Sequence, residues 1–121
     1  MLIDTNIAID YLRNKPDAIK FIENPAIPFS ISVITITELL AGVRGIDEES
    51  ELFDFLSSLT IFNVSPIIAE IAGSYMKQFS KSHNVGIADA LIAASASHHH
   101  VSLASLNAKH FPMVSDLVIP Y

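Results

Sequence analysis

Three carboxylates stand where a parallel α/β sheet would gather them at one edge. Asp4 follows the apolar pair "LI", Glu38 follows the β-rich segment "FSISVI", and Asp89 heads the nearly all-apolar stretch "IADALIAASA". The strand-to-helix turns of a parallel sheet lie along its carboxyl edge, so Asp4 and Glu38 are predicted to share that edge. Asp89 does not directly follow a predicted strand, and its place at the edge is the less secure part of the hypothesis.

Each acid also has a purely structural explanation, which is favoured when each is taken singly. Asp4 could cap a helix, Thr35 and Glu38 have the T-x-x-E spacing of a capping box, and Asp89 could complement a helix dipole. If the three acids converge, however, their repulsion and burial would raise their pKa values unless a cation lies between them. Oxygen ligands in a chain without cysteine favour Mg²⁺ or Mn²⁺.

The elements that must position these acids alternate along the chain. Strands separated by helices indicate parallel pairing, and the predicted fold is a three-layer α/β/α sandwich with a central parallel sheet. With 121 residues, half of them hydrophobic, the chain is expected to form a single domain over residues 1–121. Strands are predicted at 2–4, 29–34, 61–64, 101–104 and 117–119, and helices at 5–14, 16–23, 35–43, 48–59, 66–82 and from Asp89 onward.

Two helices have a predicted inward face. In the helix 48–59 this face consists of Leu52, Phe55, Leu56 and Leu59, and the acidic run "DEESE" at 47–51 is predicted to open the same helix. In the helix 66–82 the inward residues are predicted to be Ile67, Ile71 and Tyr75.

The charge of the chain argues against a nucleic-acid partner, because contacts with phosphates need Lys and Arg and the net charge is −6. A local basic patch could overcome this, and its candidates are Arg13, Lys15, Arg44 and Lys109. The sequence shows no cysteine, no apolar run long enough to cross a membrane and no signal peptide, so a cytoplasmic location is expected.

Four segments in order, "LIDTNIAIDYL", "ITELLAGV", "IADALIAASA" and "LASLNAKHF", resemble the signatures of PIN-domain ribonucleases and in particular the VapC-like toxins of bacterial toxin–antitoxin pairs. The resemblance spans residues 2–111 and implies a metal-dependent endoribonuclease toxin. It implies that Asp4, Glu38, Asp89 and Asn107 are the catalytic residues, with Asp4 and Asp89 binding Mg²⁺ or Mn²⁺ directly. Asn107 stands where many relatives have a fourth acid, which leaves open whether a second metal ion binds.

The same resemblance assigns supporting roles and partners. Ser105 keeps a hydroxyl where threonine is common, and Asn6 corresponds to a polar residue that holds the loops of the site together. The expected partners are a VapB-like antitoxin, whose C-terminal segment would occupy a groove and insert an Arg near the carboxylates, and a second copy of the chain in a homodimer. The expected substrate is RNA, and transfer RNA is suggested by family analogy alone.

Two alternatives stay open. A catalytically inactive PIN-like scaffold or binding module would keep the fold without metal affinity. A phosphoacceptor receiver-like domain is disfavoured, because Asp4 is followed by "TN" rather than a second acid and the segment "IFNV" ends in no Asp.

Of the remaining residues, the run His98, His99 and His100 is predicted to be surface, Phe111 to be core, and His83 and His110 to lack a partner at ligand spacing.

Overall fold

The computed structural model describes residues 1–121 and has a four-stranded parallel sheet flanked by six helices. The predicted α/β fold with a central parallel sheet is confirmed. The strand order is β3-β2-β1-β4, with β1 Leu2–Ile3, β2 Ser30–Ser32, β3 Thr60–Phe62 and β4 Leu103–Ala104. The helices are α1 Thr5–Leu12, α2 Pro16–Ile22, α3 Val33–Gly42, α4 Ile46–Ser57, α5 Pro66–His83 and α6 Ile87–His98, and a short 3₁₀ helix follows at Ala108–His110.

The strand β1 joins two hydrophobic cores on opposite faces of the sheet. It lies between β2 and β4, where Leu2 pairs with both Ser30 and Leu103. Successive side chains of a strand point to opposite faces. Accordingly Ile3 packs in a core with Phe29, Ile31 and the helices α1, α3 and α4, whereas Leu2 packs in a second core with Ile92, Leu103 and Phe111. Burial on both faces fixes the position of the residue that follows, Asp4.

The helix α3 begins two residues earlier than predicted. Its N-cap is Ser32, whose Oγ accepts a hydrogen bond from the backbone N–H of Ile34 at 3.1 Å. Thr35 is therefore inside the helix and fully buried, and the capping-box interpretation is wrong. As a result Glu38 lies in the second turn of α3 rather than in the first.

The inward face of α5 also differs from the prediction. The structure buries Ile68 and Ala72 and leaves Ile67 54% exposed, while Ile71 and Tyr75 are half-buried. The reason is the packing of α5 on α6, in which Ile68 and Ala72 meet the small residues Ala90 and Ala94. In α4, by contrast, Leu52, Phe55 and Leu56 are buried as predicted, and the acidic residues 47–49 open the helix.

The predicted last strand, 117–119, is reduced to one bridge between Val118 and Ala104. The backbone N–H of Val118 donates to the carbonyl of Leu103, and the carbonyl of Val118 accepts from Ser105. The next hydrogen bond of a parallel ladder would need an N–H two residues later, and that residue is Pro120, which has none. None of the helices combines the length and apolar character needed to cross a membrane.

The burial of Phe111, as predicted, gives a test of the second core. Phe111 is 2% exposed and packs with Leu2 and Ile92. Phe111→Ala should lower the free energy of unfolding by about 3–5 kcal/mol, because it leaves a cavity in a packed interior. The matched control Phe53→Ala, at a position 50% exposed on α4, should cost less than about 1 kcal/mol. Urea denaturation followed by circular dichroism measures both, and equal effects would contradict this description of the core.

Candidate active site

Asp4 lies at the carboxyl edge of the sheet, directly after β1, and its side chain is buried with 5% exposure. Its backbone N–H donates to the carbonyl of Ala104 at 2.9 Å, which fixes it against β4. Both carboxylate oxygens accept hydrogen bonds: Oδ1 from the N–H of Thr5 at 2.8 Å and Oδ2 from the hydroxyl of Ser105 at 2.7 Å. Asp4 is thus the N-cap of α1, as its structural explanation had it, and is also held from the neighbouring strand.

Ser105 and Asn107 extend this hydrogen bonding beyond the end of β4. The hydroxyl of the fully buried Ser105 donates to Asp4 and accepts from the backbone N–H of Asn107 at 3.0 Å. The loop that carries Asn107 is therefore tied to the buried carboxylate through one hydroxyl group. The Oδ1 atom of Asn6 is buried and accepts no hydrogen bond.

Glu38 reaches the site from the second turn of α3. Its Oε1 atom accepts a hydrogen bond from the hydroxyl of Thr5 at 2.6 Å, and this hydroxyl lies 3.1 Å from that of the buried Thr35. Thr5 therefore links Glu38 to Asp4, since its N–H binds one acid and its hydroxyl the other. The carboxylate of Glu38 is exposed to solvent, unlike that of Asp4.

Asp89 lies in the first turn of α6, where the sequence predicted it. Its Oδ2 atom is 3.3 Å from Nδ1 of His110, and the same ring nitrogen is 3.1 Å from Nδ2 of Asn107. His110, for which the sequence indicated no partner at ligand spacing, thus contacts both Asp89 and Asn107. The 3₁₀ helix Ala108–His110 brings position 110 back beside position 107, a local spacing that the sequence could have signalled, whereas the contact with Asp89 is made by tertiary packing.

The three acids act on one another electrostatically. Burial raises the pKa of Asp4, the negative charges of Asp89 and Glu38 raise it further, and the hydrogen bonds from Ser105 and Thr5 oppose the rise. Burial also raises the pKa of Asp89, as does the charge of Glu38, while His110 lowers it. Neither a Lys nor an Arg is among the groups that offset these charges. The structure therefore brings the three predicted acids close enough for their negative charges to act on one another.

The residues fit a divalent cation in their chemistry and their charge. The donors are hard carboxylate oxygens, and no Lys or Arg offsets the negative charge of the two aspartates, although His110 partly offsets that of Asp89. No group of three His, Asp or Glu side chains is close enough to form a closed metal site. By donor chemistry, these oxygens suit Mg²⁺, which keeps several waters and is bound through one or two carboxylates. The predicted ligands are the carboxylates of Asp4 and Asp89.

The PIN domain family matches residues 1–116, nearly the whole chain. This chain belongs to the PIN domain family. Ribonuclease VapC10 of Mycobacterium tuberculosis is 35% identical to it over 124 aligned positions, which cover 100% of this chain and 92% of the relative. Ribonuclease VapC19 of the same organism is 38% identical, covering 99% and 98%.

Solved structures agree with the assignment of this PIN-domain chain. A toxin-antitoxin complex from Klebsiella pneumoniae contains a chain that superposes with a TM-score of 0.85 and 32% identity, covering 99% of this chain and 97% of the other. The DNA-bound VapBC of Salmonella typhimurium gives a TM-score of 0.80 with 25% identity, covering 98% and 94%. The whole described architecture is therefore shared, rather than the sheet alone.

A cavity of about 320 Å³ opens beside Glu38, and neither Asp4 nor Asp89 lines it. Its wall combines charged side chains of both signs with apolar side chains of α1, α3 and α4, namely Glu38, Glu48, Glu51, Arg13, Arg44, Ile9, Leu12, Leu39, Val43 and Leu52. Two of the four predicted basic residues, Arg13 and Arg44, thus lie near Glu38, together with two further acids. Lys15 instead pairs with Asp10 at 3.5 Å and lies over the ring of Tyr121.

The histidine run lies at the opposite end of α6 from Asp89. All three residues are exposed, as predicted, and the ring of His99 stacks on Phe62 with 3.9 Å between the ring centroids. Because no three histidines or acids cluster in a metal-binding arrangement, this run forms no second candidate centre.

Because the charge of Asp4 is buried, removal of this charge should raise the stability of the folded chain. Because the pKa of Asp4 is higher in the folded chain than in the unfolded chain, the folded state binds more protons, and stability falls as pH rises through this interval. Asp4→Asn keeps an acceptor for the N–H of Thr5 but loses the acceptor for the hydroxyl of Ser105. Removal of the buried charge should outweigh this loss, so the variant should be more stable than the native chain at pH 7 without added metal. A gain of about 1 kcal/mol would raise Tm by roughly 3–6 °C in a chain of this size.

The pH dependence of this difference separates it from a general effect of the substitution. The gain should shrink as the pH falls towards about 3.9, the ordinary pKa of an aspartate, and vanish below it, where Asp4 is protonated in both the folded and the unfolded chain. The exposed Asp54→Asn should show no such gain. Thermal unfolding in chelator from pH 4 to pH 8 measures this, and a less stable Asp4→Asn at pH 7 would contradict the burial argument.

Proposed function

We propose that this chain is the ribonuclease toxin of a toxin–antitoxin pair and that it hydrolyses RNA phosphodiester bonds with Mg²⁺ or Mn²⁺ bound at its carboxylates. Asp4 and Asp89 are the proposed direct ligands, and Glu38 and Asn107 complete the catalytic set. The chain acts as a single PIN-like domain over residues 1–121, in the cytoplasm and as a homodimer. Relatives named as ribonucleases at 35–38% identity along the whole chain support the activity.

One observation carries the proposal: the carboxylate of Asp4 is buried beside the charges of Asp89 and Glu38. The three acids come from positions far apart in the chain, and a fold that needed only helix caps would have no reason to bring them together. Structural acids are ordinarily offset by Lys or Arg, whereas here the only basic side chain acting on either aspartate is His110. Uncompensated carboxylates at a strand edge are what a cation-dependent phosphodiesterase requires.

The protein side chains divide the work of hydrolysis. A bound divalent cation would lower the pKa of water and neutralise charge on the phosphate. We assign to Glu38, which is exposed and hydrogen-bonded to the hydroxyl of Thr5, the role of orienting the attacking water and accepting its proton. The water oxygen forms a bond to phosphorus, the bond from phosphorus to the leaving oxygen breaks, and a proton returns to the leaving oxygen. Ser105 and Thr5 hold Asp4 in a fixed orientation throughout.

The proposed RNA contacts use the few basic residues beside the site. The net charge of −6 becomes −4 with one divalent ion, which still disfavours RNA at long range. Arg13 and Arg44, on the cavity that Glu38 lines, supply local positive charge for phosphates. RNA binding should therefore depend strongly on salt.

The proposed protein partner is a VapB-like antitoxin, since the structures that resemble this chain are described as toxin-antitoxin and VapBC complexes. The cavity between α1, α3 and α4 is suited to a peptide segment, because its apolar wall can bury side chains and its rim carries charges of both signs. A segment bound there would lie against Glu38 and would cover this member of the catalytic set.

Removal of either proposed metal ligand should abolish cleavage. Asp4→Asn and Asp89→Asn should lower the rate of RNA cleavage by roughly a thousandfold, the order expected when several kcal/mol of transition-state stabilisation are lost. The assay uses purified chain, total RNA and Mn²⁺ or Mg²⁺, with a chelator control that should also abolish cleavage. The exposed Asp54→Asn should cleave as the native chain does.

A binding measurement accompanies the activity assay. Mn²⁺ at a hundredfold excess over its Kd should stabilise the native chain by about 2.7 kcal/mol and should leave the Tm of Asp4→Asn nearly unchanged. A chain that neither cleaves RNA nor responds to Mn²⁺ or Mg²⁺ would instead be the inactive PIN-like scaffold.

The partner cavity is tested by filling it. A Cβ atom added at Gly42, on the cavity wall, meets nothing within 4 Å, so Gly42→Phe should fold and occupy the cavity. It should weaken binding of the cognate antitoxin at least tenfold, which is about 1.4 kcal/mol. Gly73→Phe, on the exposed surface of α5 with the same free space, is the matched control and should bind normally. Calorimetric titration with antitoxin measures the affinity of both variants. Equal affinities would show that the antitoxin binds outside this cavity.

A further inference from the structure

His110 closes a continuous chain of polar contacts between the two aspartates of the site. From Asp4 Oδ2 the chain passes to the hydroxyl of Ser105 at 2.7 Å and on to the backbone N–H of Asn107 at 3.0 Å. From Nδ2 of Asn107 it continues to Nδ1 of His110 at 3.1 Å and ends at Asp89 Oδ2 at 3.3 Å. Apart from His110, no residue donates a side-chain hydrogen bond or forms an ion pair with Asp89.

One ring nitrogen serves both partners, and this limits what it can do at any moment. With a hydrogen on Nδ1, the ring donates to the carboxylate of Asp89; without one, Nδ1 accepts from the amide nitrogen of Asn107. The second arrangement turns the carbonyl oxygen of Asn107 away from His110. In either arrangement the ring fixes the orientation of a side chain that is otherwise free to rotate.

We propose that His110 is a positioning residue, which holds either Asp89 or Asn107, according to whether Nδ1 carries a hydrogen, in the orientation that the divalent cation requires. The inference rests on the proposed function, because it assumes that Asp4 and Asp89 bind the cation. Asp89 lies on α6 and Asn107 lies after β4, so their relative position depends on packing between separate elements. A hydrogen bond from outside the ligand set orients a metal-binding carboxylate and raises its affinity for the ion, and its loss typically lowers that affinity 10–100-fold.

The position of His110 in the fold supports this role over a purely structural one. Its side chain is 31% exposed and lies outside the packed cores, whereas its neighbour Phe111 is buried in one. Loss of the imidazole should therefore alter the site more than the stability of the chain. The replacement that preserves a polar group near the position of Nδ1 is Asn, and the matched control is His83, an exposed residue whose Nδ1 contacts only the hydroxyl of Ser82.

The test measures Mn²⁺ binding without RNA, from the loss of the electron paramagnetic resonance signal of free Mn²⁺. His110→Ala should raise the Kd for Mn²⁺ at least about tenfold, His110→Asn should stay within roughly threefold of the native chain, and His83→Ala should not change it. Asn107→Ala added to His110→Ala should weaken binding by less than the sum of the two separate effects, since the two residues act together. Circular dichroism verifies that each variant is folded.

The outcomes separate this inference from the proposed function. Native chain that binds Mn²⁺ while Asp4→Asn does not, together with His110→Ala of native affinity, would overturn the role of His110 alone. Failure of His110→Asn to restore binding lost in His110→Ala would also overturn it, because hydrogen bonding at Nδ1 would then not be what His110 supplies. Native chain without Mn²⁺ affinity would overturn the cation site and this inference with it.

Discussion

The structure depends on a carboxylate that is buried where a two-residue strand ends. Asp4 follows Leu2 and Ile3, both fully buried and each packed in a different core. Its backbone is hydrogen-bonded to β4 and its side chain to Thr5 and Ser105, so neither can move away from the site. Burial disfavours its charge, and the nearby charges of Asp89 and Glu38 add to this. The two cores supply the stability that allows such an arrangement to persist.

Polar contacts join these mutually repelling acids into one unit. Thr5 connects Glu38 to Asp4, and Ser105, Asn107 and His110 connect Asp4 to Asp89. Every connection uses a neutral donor or an imidazole, so the orientation of the acids is fixed without neutralising the charge of the site. This differs from an ion-pair network, in which Lys or Arg would offset the carboxylates and leave little attraction for a cation.

Much of this could be predicted from the sequence, because the decisive signals are local. Asp4 and Asp89 begin helices next to apolar segments, and the alternation of strands and helices is sufficient to predict a parallel sheet. Glu38 was predicted in the first turn of α3 because Thr35 and Ser32 are both possible N-caps of that helix. Only the burial of Thr35 in the interior decides between them. His110 was missed for a different reason: its partner Asp89 is brought to it by the docking of α6 beside β4, which no local spacing encodes.

The cavity beside Glu38 is the proposed surface both for contact with RNA and for binding of the antitoxin. Two successive residues of α3 line this cavity in different ways. Leu39 is buried in a core, whereas the carboxylate of Glu38 is exposed to solvent. Arg13 and Arg44, which are proposed to attract phosphates, lie on that same wall. A partner bound there would cover the positive charges and Glu38 together. Substrate and inhibitor would then compete for one surface, and inhibition would need no change in the fold.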